Sequence, residues 1–120
     1  MRRLQAAGKK TAVVTSSKNC DPVLRAAGIA ELFAVRVDGE VAVRRKLRGK
    51  PAPDTFLAAA ELLGVSAARS VVVEDAISGV RAGRAGNFGL VIGVARGVDP
   101  ESLRDAGADL VVADLGEVQL

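Results

Sequence analysis

The sequence predicts an α/β protein built on a doubly wound parallel sheet, and three observations carry the prediction. Short continuous apolar runs recur along the chain at Ala12-Val13-Val14, Ala34-Val35-Arg36-Val37, Val71-Val72-Val73, Leu90-Val91-Ile92-Gly93-Val94 and Leu110-Val111-Val112. Unbroken rather than alternating runs suit strands that are covered on both faces. Segments with helical spacing and helix punctuation lie between them, which makes the strands parallel. Polar clusters fall where the apolar runs end or just before the helices, the rim at which open α/β sheets bind their ligands.

Taken in order, residues 1–8 read as the last turns of a helix closed by Gly8, with no start of their own. The first strand follows Lys9-Lys10 and ends in the hydroxyl run Thr15-Ser16-Ser17, then Lys18 and Asn19. Asp21-Pro22 supplies an N-cap with proline in the first turn, and Gly28 closes that helix. The second strand is interrupted at the turn dipeptide Asp38-Gly39, and a basic loop holds Arg44, Arg45, Lys46, Arg48 and Lys50. Pro51 and Pro53 predict an extended entry to a helix that starts at Asp54, carries Phe56, Leu57, Ala60 and Leu63 at helical spacing, and stops at Gly64. The third strand runs into Glu74 and Asp75, and Ala76 to Gly79 turns into the next helical pattern. After the fourth strand, Asp99-Pro100 begins a helix that Gly107 ends, ahead of the last short strand. Gly83, Gly86 and Gly89 do not form a dinucleotide fingerprint, because their spacing is wrong and no strand precedes them.

Composition narrows the chemistry. The 120 residues fit one domain with its own core, and 49% hydrophobic against 26% charged residues marks a globular chain. Histidine is absent and Cys20 is the single cysteine. That removes Ser-His-Asp and Cys-His catalysis, intramolecular disulfides and His- or Cys-rich metal sites. Any metal must be held by oxygen. Aromatic residues are only 2% of the chain, too few for the stacking platforms that bind single-stranded nucleic acid. The net charge of +3 is spread along the chain, and the basic cluster at 44–50 reads as a solvated loop rather than a nucleic-acid patch. No run has the length of a membrane span and Met1-Arg2-Arg3 does not open a signal peptide, so a cytoplasmic protein is expected.

Three clusters point to phosphate chemistry. Hydroxyls and free amides between a strand and a helix N-terminus, at Thr15 to Asn19, make an anion site, with Lys18 adding charge. Plain helix capping is the alternative there. Lys50 is held between rigid flanks. Adjacent carboxylates at a sheet rim, Glu74 and Asp75, repel unless a cation compensates, which predicts Mg²⁺ or a phosphate-linked cation. Their alternative is to cap the following helix.

In combination these motifs resemble the haloacid dehalogenase-like hydrolases, in the branch similar to β-phosphoglucomutase, over nearly the whole chain. VVTSSKN resembles the second family motif, GKPAPDTF the third and VVVEDAISGVRAG the fourth. The resemblance implies that Thr15 bonds the transferring phosphoryl group and that Lys50 stabilises a phosphorylated aspartate, and Ser16 is expected to join them in holding phosphate. It implies that Glu74 and Asp75 hold Mg²⁺, and that Ser17, Lys18 and Asn19 grip the far end of a small phosphorylated metabolite, a sugar phosphate being the leading case.

The departure from the family pattern is equally specific. The first motif, DxDGxxxD, supplies the nucleophilic aspartate, and this sequence contains no DxD. The resemblance therefore implies a partial core domain over residues 1–120 that lacks the first central strand and the helical cap. The two strands flanking the missing one would then pair with each other or expose their edges. Two functions of different class follow. One is a Mg²⁺-dependent phosphatase or phosphomutase whose nucleophile lies outside this chain, completed by an N-terminal segment or through self-association. The other is a non-catalytic fragment that binds phosphate, Mg²⁺ or a partner chain. A receiver-like domain is a weaker third, since no candidate phosphoacceptor aspartate occupies a middle strand.

Overall fold

Apolar, β-branched segments become strands and the capped segments between them become helices, in a computed structural model that describes residues 12–14, 35–37 and 39–113. Strands β1 (Ala12–Val14) and β2 (Val35–Val37) come first, followed by helices α1 (Gly39–Arg44) and α2 (Asp54–Leu63). A 3₁₀ turn, Ala67–Arg69, leads into β3 (Val71–Glu74). The chain continues through α3 (Ile77–Ala85), β4 (Leu90–Val94), α4 (Pro100–Ala106) and β5 (Leu110–Val112). All strand pairs are parallel, as the alternation of strands and helices predicts. The residues named above at Thr15, Ser16, Ser17, Lys18 and Asn19, and the helices expected at 1–8 and 21–28, lie outside the described residues.

Among the described residues the strands form two sheets. β1 pairs with β2, Val14 opposite Val37, while β3, β4 and β5 make a second sheet with β4 in the middle. Among the described residues β1 and β3 are not paired with each other, so each has a free edge. Of the two expected outcomes, pairing with each other or exposed edges, the described residues show no pairing between β1 and β3. Ile92, at the centre of β4, is 0% exposed, whereas Val73 opposite it on β3 is 40% exposed and Val71 is 51%.

One face of the second sheet is covered by α3 and α4. A Cβ on Gly83 of α3 would lie 3.1 Å from Val91 and 3.3 Å from Val72, so the absent side chain lets the helix settle closely on the strands. Leu103 of α4 packs over Gly93 in the same way. Phe56 and Ala60 of α2 join this core with Val72, Val80, Ala82, Phe88, Val91 and Leu103, and Val14 of β1 packs against it. Each large apolar side chain that is fully buried, such as Val91 or Leu103, contributes about 1.5–3 kcal/mol.

Helix ends follow the chain's punctuation. Gly64 takes the left-handed conformation at the end of α2, and the Asp99 side chain accepts from the Ser102 N–H at the start of α4, with Pro100 next to it. Two local expectations are corrected. Gly39 opens α1 instead of a turn, and the helix ends with Lys46 in the left-handed region (φ 56°), where the Leu47 N–H bonds the Ala42 carbonyl at 2.8 Å. The Pro51–Pro53 entry to α2 is turned rather than extended: the Ala52 N–H bonds the Gly49 carbonyl, and Pro53 itself has helical backbone angles.

At the amino end of the second sheet, Arg84 of α3 donates from Nε and Nη2 to the Gly107 carbonyl, at 3.0 and 2.8 Å, and from Nη2 to Asp109. The other Asp109 oxygen accepts the Val91 N–H at 2.9 Å. That backbone donor, and then Arg84, holds the Asp109 carboxyl below the ordinary carboxylate range. Among the described residues no helix is long and apolar enough to cross a membrane.

Candidate active site

The carboxyl ends of β3 and β4 border a cavity of about 320 Å³ lined by Val73, Glu74, Asp75, Val94 and Arg96. The alternation of a strand places Glu74 and Asp75 differently. Glu74 points inward and its side chain is 13% exposed, whereas Asp75 is exposed at the cavity. Neither acid caps the following helix, because the N-cap position of α3 is Ala76 and no side chain bonds there. The capping alternative for the acid pair therefore fails.

Glu74 pairs with a lysine. Lys50 Nζ donates to Glu74 Oε2 at 3.0 Å, across 24 residues of sequence, from a side chain that is 22% exposed. The same ammonium lies 5.0 Å from the centre of the Phe56 ring. The loop that carries Lys50 is closed by a second ion pair. Asp54, the first residue of α2, accepts from the Arg48 N–H and Nε at 3.0 Å each through Oδ2, and from Nη2 at 2.8 Å through Oδ1. These bonds from Arg48 hold the Asp54 carboxyl below its ordinary range and raise the guanidinium in turn. Arg48 is thus not a loose surface charge but the clasp of the Lys50 loop.

Gly79, in the first turn of α3, makes room for Glu74. A Cβ there would sit 1.9 Å from Glu74 Cγ, 2.1 Å from Cδ and 2.6 Å from Oε1. No side chain can occupy that space while Glu74 keeps its place. The role was legible only as a glycine five residues after the acid. Arg96 at the cavity rim carried no sequence signal at all.

Of the residues expected to act, the structure thus brings together Lys50, Glu74 and Asp75, and Thr15 to Asn19 fall outside the described residues. Among the described residues no group of three or more His, Cys, Asp or Glu forms a cage for a metal. Two carboxylates at a sheet rim still match the way Mg²⁺ is held, through one or two acids with the remaining positions left to water and substrate phosphate.

A sequence model of the haloacid dehalogenase-like hydrolases matches residues 1–87. A β-phosphoglucomutase of Mycobacterium bovis is 48% identical over 98% of this chain, which spans 46% of that protein's length. A trehalose-phosphate phosphatase of Mycobacterium leprae is 40% identical over 98% of the chain, here only 27% of the relative. Among solved structures, a hydrolase of the same family from Deinococcus radiodurans with bound phosphate and sodium superposes with a TM-score of 0.84 at 32% identity. The alignment covers 97% of this chain and 52% of that one.

Proposed function

Because the chain belongs to the haloacid dehalogenase-like hydrolase family, we propose that it forms the phosphate- and Mg²⁺-holding part of a phosphatase or phosphomutase. The substrate is a small phosphorylated metabolite, with a sugar phosphate the leading case. The observation that carries this reading is the meeting of Lys50 and Glu74 at 3.0 Å beside Asp75, at the carboxyl end of β3. An ammonium next to two carboxylates suits a dianionic phosphoryl group that must be neutralised on both sides.

In this reading Glu74 and Asp75 hold Mg²⁺, which would draw charge from the phosphoryl oxygens. Lys50 faces the same group from the α2 side. Thr15 and Ser16 donate to the phosphoryl oxygens, and Ser17, Lys18 and Asn19 bind the distal part of the substrate. The attacking aspartate comes from outside these 120 residues, on a strand that fills the free edges of β1 and β3. The lack of a β1–β3 ladder among the described residues supports such a complementing segment, from an N-terminal piece or a partner chain.

Calorimetric titration of Mg²⁺ and inorganic phosphate into the chain tests the reading. Both ligands should bind, Asp75→Ala should abolish the Mg²⁺ heat, and turnover should appear only when a segment bearing the aspartate motif is added. Unchanged metal affinity in Asp75→Ala would remove the assignment. Failure of both ligands to bind would remove the function.

A further inference from the structure

We infer that Phe56 is a positioning residue for Lys50, its ring face holding the ammonium at the site when Glu74 is engaged elsewhere; the inference rests on the phosphate and Mg²⁺ reading above. Lys50 Nζ has two described partners of different kinds, the Glu74 carboxylate at 3.0 Å and the Phe56 ring at 5.0 Å. The first partner is conditional. A carboxylate that gives its charge to a divalent cation no longer neutralises a neighbouring ammonium, and the like charges of cation and lysine then repel. The second partner is unconditional, because a ring quadrupole attracts a cation whether or not a metal is present.

The ring is also fixed. Phe56 is 7% exposed and meets Phe88 edge to face, with centroids 6.0 Å apart and planes at 78°. Phe88 is itself backed by Gly86, where a Cβ would lie 2.7 Å from the ring. Two aromatic rings and a glycine therefore set the plane on which the ammonium rests. The spacing between Lys50 and Phe56 is kept by the Arg48–Asp54 clasp, which closes the loop at the start of α2.

The test replaces Phe56 site-specifically with mono-, di- and trifluorinated phenylalanine, which keeps shape and burial while draining the ring face of negative charge. Inorganic phosphate affinity is then measured by calorimetry on the full chain at saturating Mg²⁺. The expected result is a stepwise weakening of roughly fivefold in all across the series, with Mg²⁺ affinity and melting temperature unchanged. A flat series with phosphate still bound overturns the role of Phe56 and leaves the proposed function standing. A ligand-free readout separates the two further. In Glu74→Gln the Lys50 side-chain methylene protons next to Nζ should keep the upfield ring shift they have in the native chain. A return to free-lysine values overturns the inference, even where no phosphate binds and the proposed function itself has failed.

Discussion

Lys50–Glu74 and Arg84–Asp109 sit at opposite ends of the same sheet and pair the same kinds of charge, but they are wired differently. At the amino end, Asp109 divides its oxygens between Arg84 and the Val91 N–H, and Arg84 also holds the Gly107 carbonyl. At the carboxyl end, Glu74 Oε2 takes Lys50 while Oε1 lies over the hollow of Gly79. A pair that also bonds the backbone through both partners ties elements together. A pair whose side chains bond no backbone group among the described residues, beside a second carboxylate and a cavity, is the one the proposed function uses. The arrangement of the partners, more than the charge, separates a structural ion pair from a chemical one.

The largest effect that could break this comparison is on stability at the amino end. Asp109→Ala leaves the Val91 N–H, inside a fully buried residue, without its acceptor, and should cost about 2 kcal/mol in denaturant unfolding. Its pH dependence has a definite sign. The folded pKa of Asp109 lies below its ordinary 3.8, so its contribution is complete above that value and is lost as pH falls through the lower folded value. Melts of the native chain and of Asp109→Asn at falling pH should therefore converge; parallel curves would contradict the assignment.

Next in size is Gly79→Ala, which should cost about 1–2 kcal/mol because its Cβ displaces Glu74. The same change in a Glu74→Ala background should be close to neutral, and a double-mutant cycle measures the difference. Equal costs in both backgrounds would mean that the hollow does not serve Glu74. Smallest is Glu74→Gln, expected to shift stability by less than about 1 kcal/mol because the glutamine amide oxygen can still accept from Lys50, whose ammonium also lies beside the Phe56 ring. A loss as large as that of Asp109→Ala would place both pairs in the structural class and erase the contrast.

How much of this was legible in the sequence depended on the range of the signal. Local punctuation read well: Asp54 to Gly64 bounds α2, and Asp99-Pro100 to Gly107 bounds α4, because caps and left-handed glycines act within one turn. That Lys50 and Glu74 share the rim was legible from the order of the polar clusters on a parallel sheet, but their direct bond was not. The Arg48–Asp54 clasp was not, since each residue alone reads as a surface charge or a helix start. Helix α1 was hidden by Asp38-Gly39, which favours a turn, and by Lys46, which occupies a left-handed position that glycine usually marks. The role of Phe56 was hidden in its own periodicity, because a residue at core spacing reads as core whether or not a cation rests on it.

The division of the strands into two sheets also determines how the molecule comes apart. With no hydrogen-bonded ladder between β1 and β3 among the described residues, side-chain packing must pass any cooperativity from one sheet to the other. That packing runs through Phe56 and Ala60 on α2 and through Val14. Amide exchange should then resolve two opening events, with β3, β4 and β5 protected together and β1–β2 released at lower free energy. Helix α2, which packs on β1 and β2 and shares the core of the larger sheet, is the joint at which those two foldons meet.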